Sequence, residues 1–316
     1  MVYASVIEAI GRTPLVELKR ISAHSKGRIL AKLEYLNPGF SKKDRIALQI
    51  IEDAEASGAL RPGQTVVELT SGNTGTGLAM VCAIKGYPFV AVMSKGNSIE
   101  RAMMMRALGA EVVLVDQSPD STPGQVSGPD LELVRLETER IVRERGAFRA
   151  DQFRLQSNFQ AHFLHTGKEI VEDCAYTIDL FCDFVGTGGS FAGCAAALKQ
   201  ANPGTKCFIV EPQGAAALAG QPLTRLNHRI QGGGYGMGHL DMIRLEHVDG
   251  YVQVSDVEAI EAARALAAQE GIFAGFSTGA NLAAAQKLLR ESFTGKTAVI
   301  LANDSGLKYL STDLWR

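Results

Sequence analysis

Residues 65–75 read Thr65-Val66-Val67-Glu68-Leu69-Thr70-Ser71-Gly72-Asn73-Thr74-Gly75, a β-rich run that leads directly into a loop of Thr, Ser, Gly and Asn. A segment with helical spacing follows at 74–85. Gly72 and Gly75 let backbone N–H groups approach a ligand, and a helix N-terminus attracts an anion. In the alternative reading, Ser71 or Asn73 caps the helix and the loop is an ordinary turn.

Strand and helix alternate in the same way along most of the chain. Further β-rich runs lie at 29–33, 89–93, 111–115, 181–185, 207–210 and 297–301, and helical spacing recurs at 45–57, 98–108, 131–145, 256–269 and 279–290. This alternation predicts a doubly wound α/β fold with parallel sheets. Ligands of such folds bind outside the carboxyl ends of the strands, where the glycine-rich loops fall.

The composition is that of a soluble enzyme. The chain has 316 residues, enough for two lobes, and its formal net charge of −2 gives no sign of a nucleic-acid or membrane partner. The N-terminus lacks the pattern of a signal peptide and no apolar run reaches ~18 residues, so we expect a cytoplasmic protein. The cysteines show no metal-binding spacing and are expected to be reduced core thiols: Cys82, Cys174, Cys182, Cys194 and Cys207.

A lysine pair precedes the first long helix, in Asn37-Pro38-Gly39-Phe40-Ser41-Lys42-Lys43-Asp44-Arg45. A lysine that acts as a nucleophile near neutral pH needs a pKa below its usual value of about 10.4, which burial and nearby positive charge both favour. Lys42 and Arg45 are candidate sources of that charge for Lys43. In isolation, Lys43 would more often be a solvated residue at a helix start.

Two later loops complete the pattern. Gly186-Thr187-Gly188-Gly189-Ser190 follows a strand and opens a helix, and it is typical of a nest for one phosphate monoester. A dinucleotide site competes with this reading, but the next acidic residue along the chain, Glu211, lies outside the expected register. Asn303-Asp304-Ser305-Gly306 follows the last strand.

Taken together, these motifs resemble the fold-type II pyridoxal-phosphate enzymes, and most closely the cysteine synthase and cystathionine β-synthase branch. The resemblance covers nearly the whole chain. It implies a tryptophan synthase β-like fold of two doubly wound, mostly parallel sheets in two lobes. The larger lobe would comprise 1–43 and 148–316 and hold the cofactor, and a mobile substrate-binding lobe would comprise 44–147. It also implies a homodimer.

The resemblance assigns a role to each loop. Lys43, two positions after Ser41 and two before Arg45, corresponds to the Schiff-base lysine, and Lys42 is the alternative. Pyridoxal 5′-phosphate would be bound by Lys43, Asn73, Gly186, Thr187, Gly188, Gly189, Ser190 and Ser305. The amino-acid substrate would be bound by Thr70, Ser71, Thr74, Gln152, Gly233 and Tyr235. No metal is implied.

Ser305 bears on the reaction, since a neutral serine beside the pyridine nitrogen leaves that nitrogen unprotonated. In the family this goes with β-replacement on an activated serine through an aminoacrylate, with sulfide or a thiol as nucleophile. Asp304 beside it departs from the cysteine synthases and would put this preference in doubt if it faced the ring. Alternatives are β-elimination, a nitrogen nucleophile, a non-catalytic binding relative and a nicotinamide oxidoreductase.

Several positions depart from the family pattern or remain open. Residues 154–158, which follow Asp151-Gln152-Phe153, depart from the family pattern. In the glycine-rich loop 231–238, Tyr235 and Met237 replace the residues expected in an O-acetylserine enzyme. The Ser277-Thr278-Gly279-Ala280 turn resembles the family's turn beside the cofactor. The long loop 116–129 is either a solvated excursion or a flap or partner contact. Three histidines are weaker candidates for general acids: His162, His165 and His239.

Overall fold

The computed structural model describes residues 2–70, 72–122, 124 and 126–316. Its strands are β1 Leu15–Glu17, β2 Arg28–Lys32, β3 Val66–Leu69, β4 Phe89–Ser94, β5 Glu111–Val115, β6 Phe148–Arg149, β7 Leu180–Phe184, β8 Lys206–Pro212, β9 Gly250–Val254 and β10 Thr297–Leu301. Its α-helices are α1 Lys19–Ser22, α2 Lys43–Ser57, α3 Asn73–Lys85, α4 Ile99–Ala107, α5 Gly128–Arg145, α6 Ser157–Ala161, α7 Lys168–Asp173, α8 Gly189–Ala201, α9 Asp256–Ala265 and α10 Phe276–Glu291. Two π-helical segments, His162–Gly167 and Leu266–Glu270, extend α6 and α9.

The strands form two sheets, which confirms the predicted α/β architecture. The larger sheet has the order β1-β2-β10-β7-β8-β9, and only the pairing of β1 with β2 is antiparallel. The smaller sheet has the order β5-β4-β3-β6 and is parallel throughout. Because β6 pairs with β3, the smaller sheet extends beyond the boundary expected at residue 147. The division into a fixed and a mobile lobe stays a prediction.

Both faces of each sheet are covered by apolar side chains, as expected for parallel sheets. One core cluster on the larger sheet includes Cys182 and Phe276, and a second includes Phe181 and Val299. The smaller sheet packs in the same way against α2, α3 and α5. All five cysteines are free thiols and four are buried, which agrees with the expected core role.

Local sequence explains where several helices begin and end. Ser127 and Asp130 form a reciprocal capping box at the start of α5, and Gly146, in the left-handed conformation, ends that helix. Gly188 has φ of 85° directly before α8, a conformation that favours glycine. Residues that follow the carboxyl ends of β3, β7 and β10 line one common cavity: Asn73, Gly186 and Asn303.

Candidate active site

The lysine pair lies against the loop that follows β10. The backbone N–H of Lys42 donates to the carbonyl oxygen of Asn303 at 2.9 Å, and that of Ser305 donates to the carbonyl oxygen of Phe40 at 3.1 Å. These bonds fix the turn that precedes α2. Lys43, the first residue of α2, lines a narrow cavity at this place.

The two lysines differ in their surroundings. Lys42 Nζ donates to both carboxylate oxygens of Asp183 at 3.0 Å and to Ser190 Oγ at 2.8 Å. Among the residues that the structure describes, none accepts a hydrogen bond from Lys43 Nζ. Burial lowers the pKa of Lys43 to about 7, with a further lowering by the charge of Lys42 and an opposing effect of Asp183. Lys43 is therefore the lysine whose neutral amine is accessible near neutral pH.

The loop after β3 is held by side-chain hydrogen bonds. Thr70 Oγ1 accepts from the N–H groups of Gly72 and Gly75, both at 2.9 Å. Thr74 Oγ1 donates to Gln152 Oε1 at 2.6 Å, and Gln152 Nε2 donates to the carbonyl oxygen of Leu69 at 2.9 Å. Three of the expected carboxylate-binding residues thus lie together. Ser71 lies outside the described residues.

Asn73 does not cap its own helix. Its Nδ2 donates to Asp304 Oδ2 at 2.7 Å, and its Oδ1 accepts from Lys308 Nζ at 2.8 Å. Asp304 Oδ2 also accepts from the hydroxyl of Tyr309 at 2.6 Å. These bonds orient the amide of Asn73, which lines the same cavity as Lys43.

The glycine-rich turn after β7 forms another wall. Gly186, Thr187 and Ser190 line the cavity, and Thr187 Oγ1 accepts from Asn158 Nδ2 at 2.8 Å. That bond leaves the hydroxyl proton of Thr187 available to a ligand. A Cβ at Gly186 would lie 2.5 Å from the carbonyl oxygen of Gly232, so the turn and the 231–238 loop pack with no room for a side chain.

Ser305 and Ser277 occupy different places. Ser305 Oγ accepts from the backbone N–H of Leu307 at 3.3 Å and begins a short 3₁₀ helix, Gly306–Tyr309. The cavity wall is formed by Ser277 and Asn303, and Asn303 Nδ2 donates to Ser277 Oγ at 3.0 Å. The sequence marked the turn at 277–280 as close to the cofactor but did not single out Ser277.

A wider cavity of about 330 Å³ lies farther out. Gly233 and Tyr235 line one side, and Gly124 and Val126 of the 116–129 loop line another. The tip of that loop is thus part of the cavity wall and not only a solvated excursion. His228, which the sequence analysis did not consider, also lines this cavity, and its Nε2 lies 2.8 Å from the carbonyl oxygen of Gly234.

The three histidines considered from the sequence lie elsewhere. His162 is fully buried with Nδ1 2.9 Å from Thr166 Oγ1, and burial lowers its pKa well below the usual value. His165 borders a separate surface cavity near Arg45. His239 is largely exposed beside Asp241. None of the three lines the cavity of Lys43 or the wider cavity.

The donor set fits a phosphorylated aromatic aldehyde. Lys43 offers an amine of lowered pKa for the aldehyde. The turn before α8 offers backbone N–H groups and the Thr187 hydroxyl for the phosphate. Asn73 and Ser277 offer neutral polar groups in the same cavity. Asn303 Oδ1 is buried without a partner in the described part of the chain, which is consistent with a ligand-facing wall.

Comparisons with known proteins agree with this site. A family model described as pyridoxal-phosphate dependent enzyme matches residues 6–304. Cysteine synthase from Staphylococcus aureus is 39% identical over 98% of this chain and 96% of its own length, and O-ureido-L-serine synthase from Streptomyces lavendulae is 38% identical over 99% and 93%. The crystal structure of a hydrogen sulfide-producing enzyme from Fusobacterium nucleatum has a TM-score of 0.89 and 38% identity, over 98% of this chain and all of that one.

These findings confirm the resemblance inferred from the loops, the fold and the cofactor, pyridoxal 5′-phosphate. No helix in the described ranges is long and apolar enough to cross a membrane. With the matched region spanning almost the entire chain, the protein belongs to the family of pyridoxal-phosphate dependent enzymes.

Proposed function

We propose that this enzyme catalyses β-replacement on an activated serine-type amino acid, with sulfide or a thiol as the first candidate nucleophile. The observation that carries the proposal is the amine of Lys43, with a pKa of about 7, at the wall of a cavity that also holds Asn73 and the glycine-rich turn. The similarity to a cysteine synthase supports the replacement reaction.

Lys43 is the proposed point of cofactor attachment and the general base. The cofactor, when bound, withdraws electrons from the α-carbon of an amino acid and so promotes loss of the α-proton and of the β-substituent. An amine with a pKa near 7 can take up the α-proton at neutral pH and return it at the end of the cycle.

The substrate carboxylate is proposed to bind at the loop after β3. Thr70, Ser71 and Gln152 are neutral donors, Thr74 holds Gln152 through its hydroxyl proton, and α3 begins at Asn73, so its N-terminus favours an anion. Thr74 and Gln152 are already hydrogen-bonded to each other. This bond places both side chains before a substrate arrives, which reduces the entropy lost on binding.

A neutral hydroxyl is proposed to face the pyridine nitrogen. The sequence predicts Ser305 in this role, whereas Ser277 lines the cavity and receives a hydrogen bond that leaves its own proton available. We therefore favour Ser277. Asp304 Oδ2 is held by Asn73 and Tyr309, and Asp304 is not among the residues that line the cavity, so the argument for an unprotonated nitrogen remains.

A donor and acceptor competition assay tests the reaction. The purified holoenzyme is given O-acetylserine, O-phosphoserine, serine or cysteine as donor, with sulfide, a thiol or an amine as acceptor. We expect a new β-substituted amino acid whose formation depends on the acceptor. Pyruvate and ammonia formed at the same rate with and without any acceptor would overturn the proposal.

β-Elimination is the second candidate, and the relative from Fusobacterium nucleatum, described as hydrogen sulfide-producing, favours it. The wider cavity of about 330 Å³ admits water as well as a nucleophile. The same assay separates the two reactions by their products. A nitrogen nucleophile, which would give a different β-substituted amino acid, is the third outcome.

We also propose that the protein is a cytoplasmic homodimer with a mobile smaller lobe. Light scattering of the purified protein measures its mass directly. A mass of one chain, 33.8 kDa, at working concentration would contradict the dimer.

A further inference from the structure

A buried ion pair lies directly behind the glycine-rich turn. Lys42 is 7% exposed, and Asp183, on β7, is fully buried. The ammonium of Lys42 has both carboxylate oxygens of Asp183 at 3.0 Å. Asn281 Nδ2 also donates to Asp183 Oδ1 at 3.3 Å, so the carboxylate is surrounded by donors.

This pair controls the hydroxyl of Ser190. Ser190 Oγ donates to Asp183 Oδ2 and accepts from Lys42 Nζ at 2.8 Å. The only proton of that hydroxyl therefore points toward Asp183. The sequence predicted Ser190 as a phosphate donor, but in this arrangement its side chain has no proton to offer a phosphate.

Lys42 is the member of the pair that reaches the ligand. It lines the same cavity as Gly186, Thr187 and Ser190, whereas Asp183 lies behind it. A phosphate monoester is close to a dianion at neutral pH, and a charge-assisted hydrogen bond to it is stronger than one from a neutral group. The two oxygens of Asp183, both at 3.0 Å, can share one N–H of Lys42, and a second N–H is directed at Ser190 Oγ, so the third is left for a phosphate oxygen. We propose that Lys42 is a cofactor-binding residue that contacts the phosphate, and that Asp183 holds it in place.

The ion pair makes such a buried cation possible. An isolated ammonium removed from water is strongly destabilised, and a carboxylate in direct contact offsets much of this cost. The loop motif alone, a nest of N–H groups and hydroxyls, gives no hint of a cation. The two residues lie 141 positions apart in the chain, so only the folded structure brings them together.

The test compares two ligands that differ only in the phosphate. Apoenzyme is titrated with pyridoxal 5′-phosphate and with pyridoxal, and the ratio of the two Kd values is measured. Lys42→Met should raise the Kd for the phosphorylated ligand about tenfold or more relative to pyridoxal, the loss typical of a hydrogen bond to a charged group. Any change in the reactivity of Lys43 affects both ligands and cancels in the ratio.

Lys42→Met leaves the carboxylate of Asp183 buried without its cation. The double variant Lys42→Met/Asp183→Asn avoids this, because it removes both charges and keeps a hydrogen-bond acceptor for Ser190. Lys32→Met is the matched control: Lys32 is a fully buried lysine paired with Glu169 and Asp173 outside this cavity. We expect the altered ratio in the first two variants and an unchanged ratio in the control.

Inorganic phosphate gives a second readout that does not involve turnover. It should raise the Tm of wild-type apoenzyme and of Lys32→Met but not of the double variant. A folded double variant with the wild-type ratio of Kd values, or with the wild-type response to phosphate, would overturn the proposal. Neither result depends on which β-replacement the enzyme performs.

Discussion

Lys43 combines two effects that lower the pKa of an amine, burial and the neighbouring charge of Lys42. Below a pH of about 7 the ammonium form of Lys43 predominates and cannot attack an aldehyde, whereas above this pH the neutral amine can. The rate at which apoenzyme captures pyridoxal 5′-phosphate should therefore rise through this pH and then level off.

Stopped-flow absorbance measured across this pH range checks the prediction. Lys42→Met should shift the rise to higher pH, because one of the two causes of the lowered pKa is removed. Capture by the wild-type apoenzyme with a midpoint near the ordinary lysine pKa of about 10.4 would show that the amine is not perturbed.

Ser277 and Ser305 provide a second test at the residue scale. If Ser277 faces the pyridine nitrogen, Ser277→Ala should shift the visible absorbance of the holoenzyme and lower kcat by roughly 10-fold or more, in the range of a lost buried hydrogen bond. Ser305→Ala removes a bond to the N–H of Leu307 and should mainly lower stability, by about 1 kcal/mol. If Ser305→Ala shifts the visible absorbance and Ser277→Ala does not, Ser305 has the role that the sequence predicts.

The two serines also show where sequence analysis reaches its limit. Ser277 is the second residue of α10 and Ser305 lies four residues after β10, and the choice between them depends on which side chain lines the cavity. Asn303, which bonds to Ser277, and Leu307, which bonds to Ser305, decide this. Lys43 and the glycine-rich turn were accessible from the sequence because a backbone motif, and not a rotamer, defines them.

At the scale of elements, the turn before α8 depends on Gly188. Its φ of 85° is strained for any other residue, and an added Cβ would lie 3.1 Å from the side chain of Ile243. Gly188→Val should cost about 1–3 kcal/mol of local strain and displace the N–H groups that bind the phosphate. We expect faster cofactor loss on dialysis, measured by absorbance, with the helical circular dichroism largely retained.

Gly295→Val is a suitable control for that experiment, since Gly295 also has positive φ, of 80°, but has open space around it and lies far from the cavity. It should lower stability without changing cofactor retention. If the two variants lose cofactor at the same rate, the loss reflects general destabilisation and not the phosphate nest.

The loop 231–238 and the tip of the loop 116–129 face each other across the wider cavity. Tyr235→Ala should leave substrate binding nearly intact but change the ranking of donors and acceptors, because contacts to the leaving group and nucleophile set selectivity. The competition assay described above, run on both proteins, measures this. An identical ranking would mean that Tyr235 does not define specificity, and Val126→Ala would be the next variant to measure.

The sequence predicts the presence of a strand or helix better than the residues at which it begins and ends. Fully buried strands such as β4 and β10 match their predicted runs closely because a continuous apolar segment bounded by a turn is a strong signal. Three strands were missed: β1 and β6 are only three and two residues long, and β9 is a partly exposed edge strand. β1 and β6 have too few residues to show a periodicity, and β9, although as long as β10, is only partly buried and lacks a continuous apolar run.

At the scale of the whole molecule, the site is assembled from both sheets. Asn73 and Thr74 belong to the helix after β3 of the smaller sheet, while Gly186 and Ser277 are carried by the larger one. Asn73 is bonded to Asp304 and Lys308 across this junction. A movement of the smaller sheet would therefore change the contacts that orient Asn73, which links any closure of the cleft to the cofactor site.

The most direct test of the account is to identify the lysine that binds the cofactor. Holoenzyme is reduced with borohydride, digested and mapped by mass spectrometry with fragmentation that separates Lys42 from Lys43. We predict that the label lies on Lys43 in the wild-type enzyme. Lys43→Ala should carry no label and lose at least about 100-fold in turnover. Lys42→Met, at saturating cofactor, should still be labelled on Lys43. A label on Lys42 in the wild-type enzyme would contradict both the assignment of Lys43 as the catalytic lysine and that of Lys42 as the phosphate-binding cation.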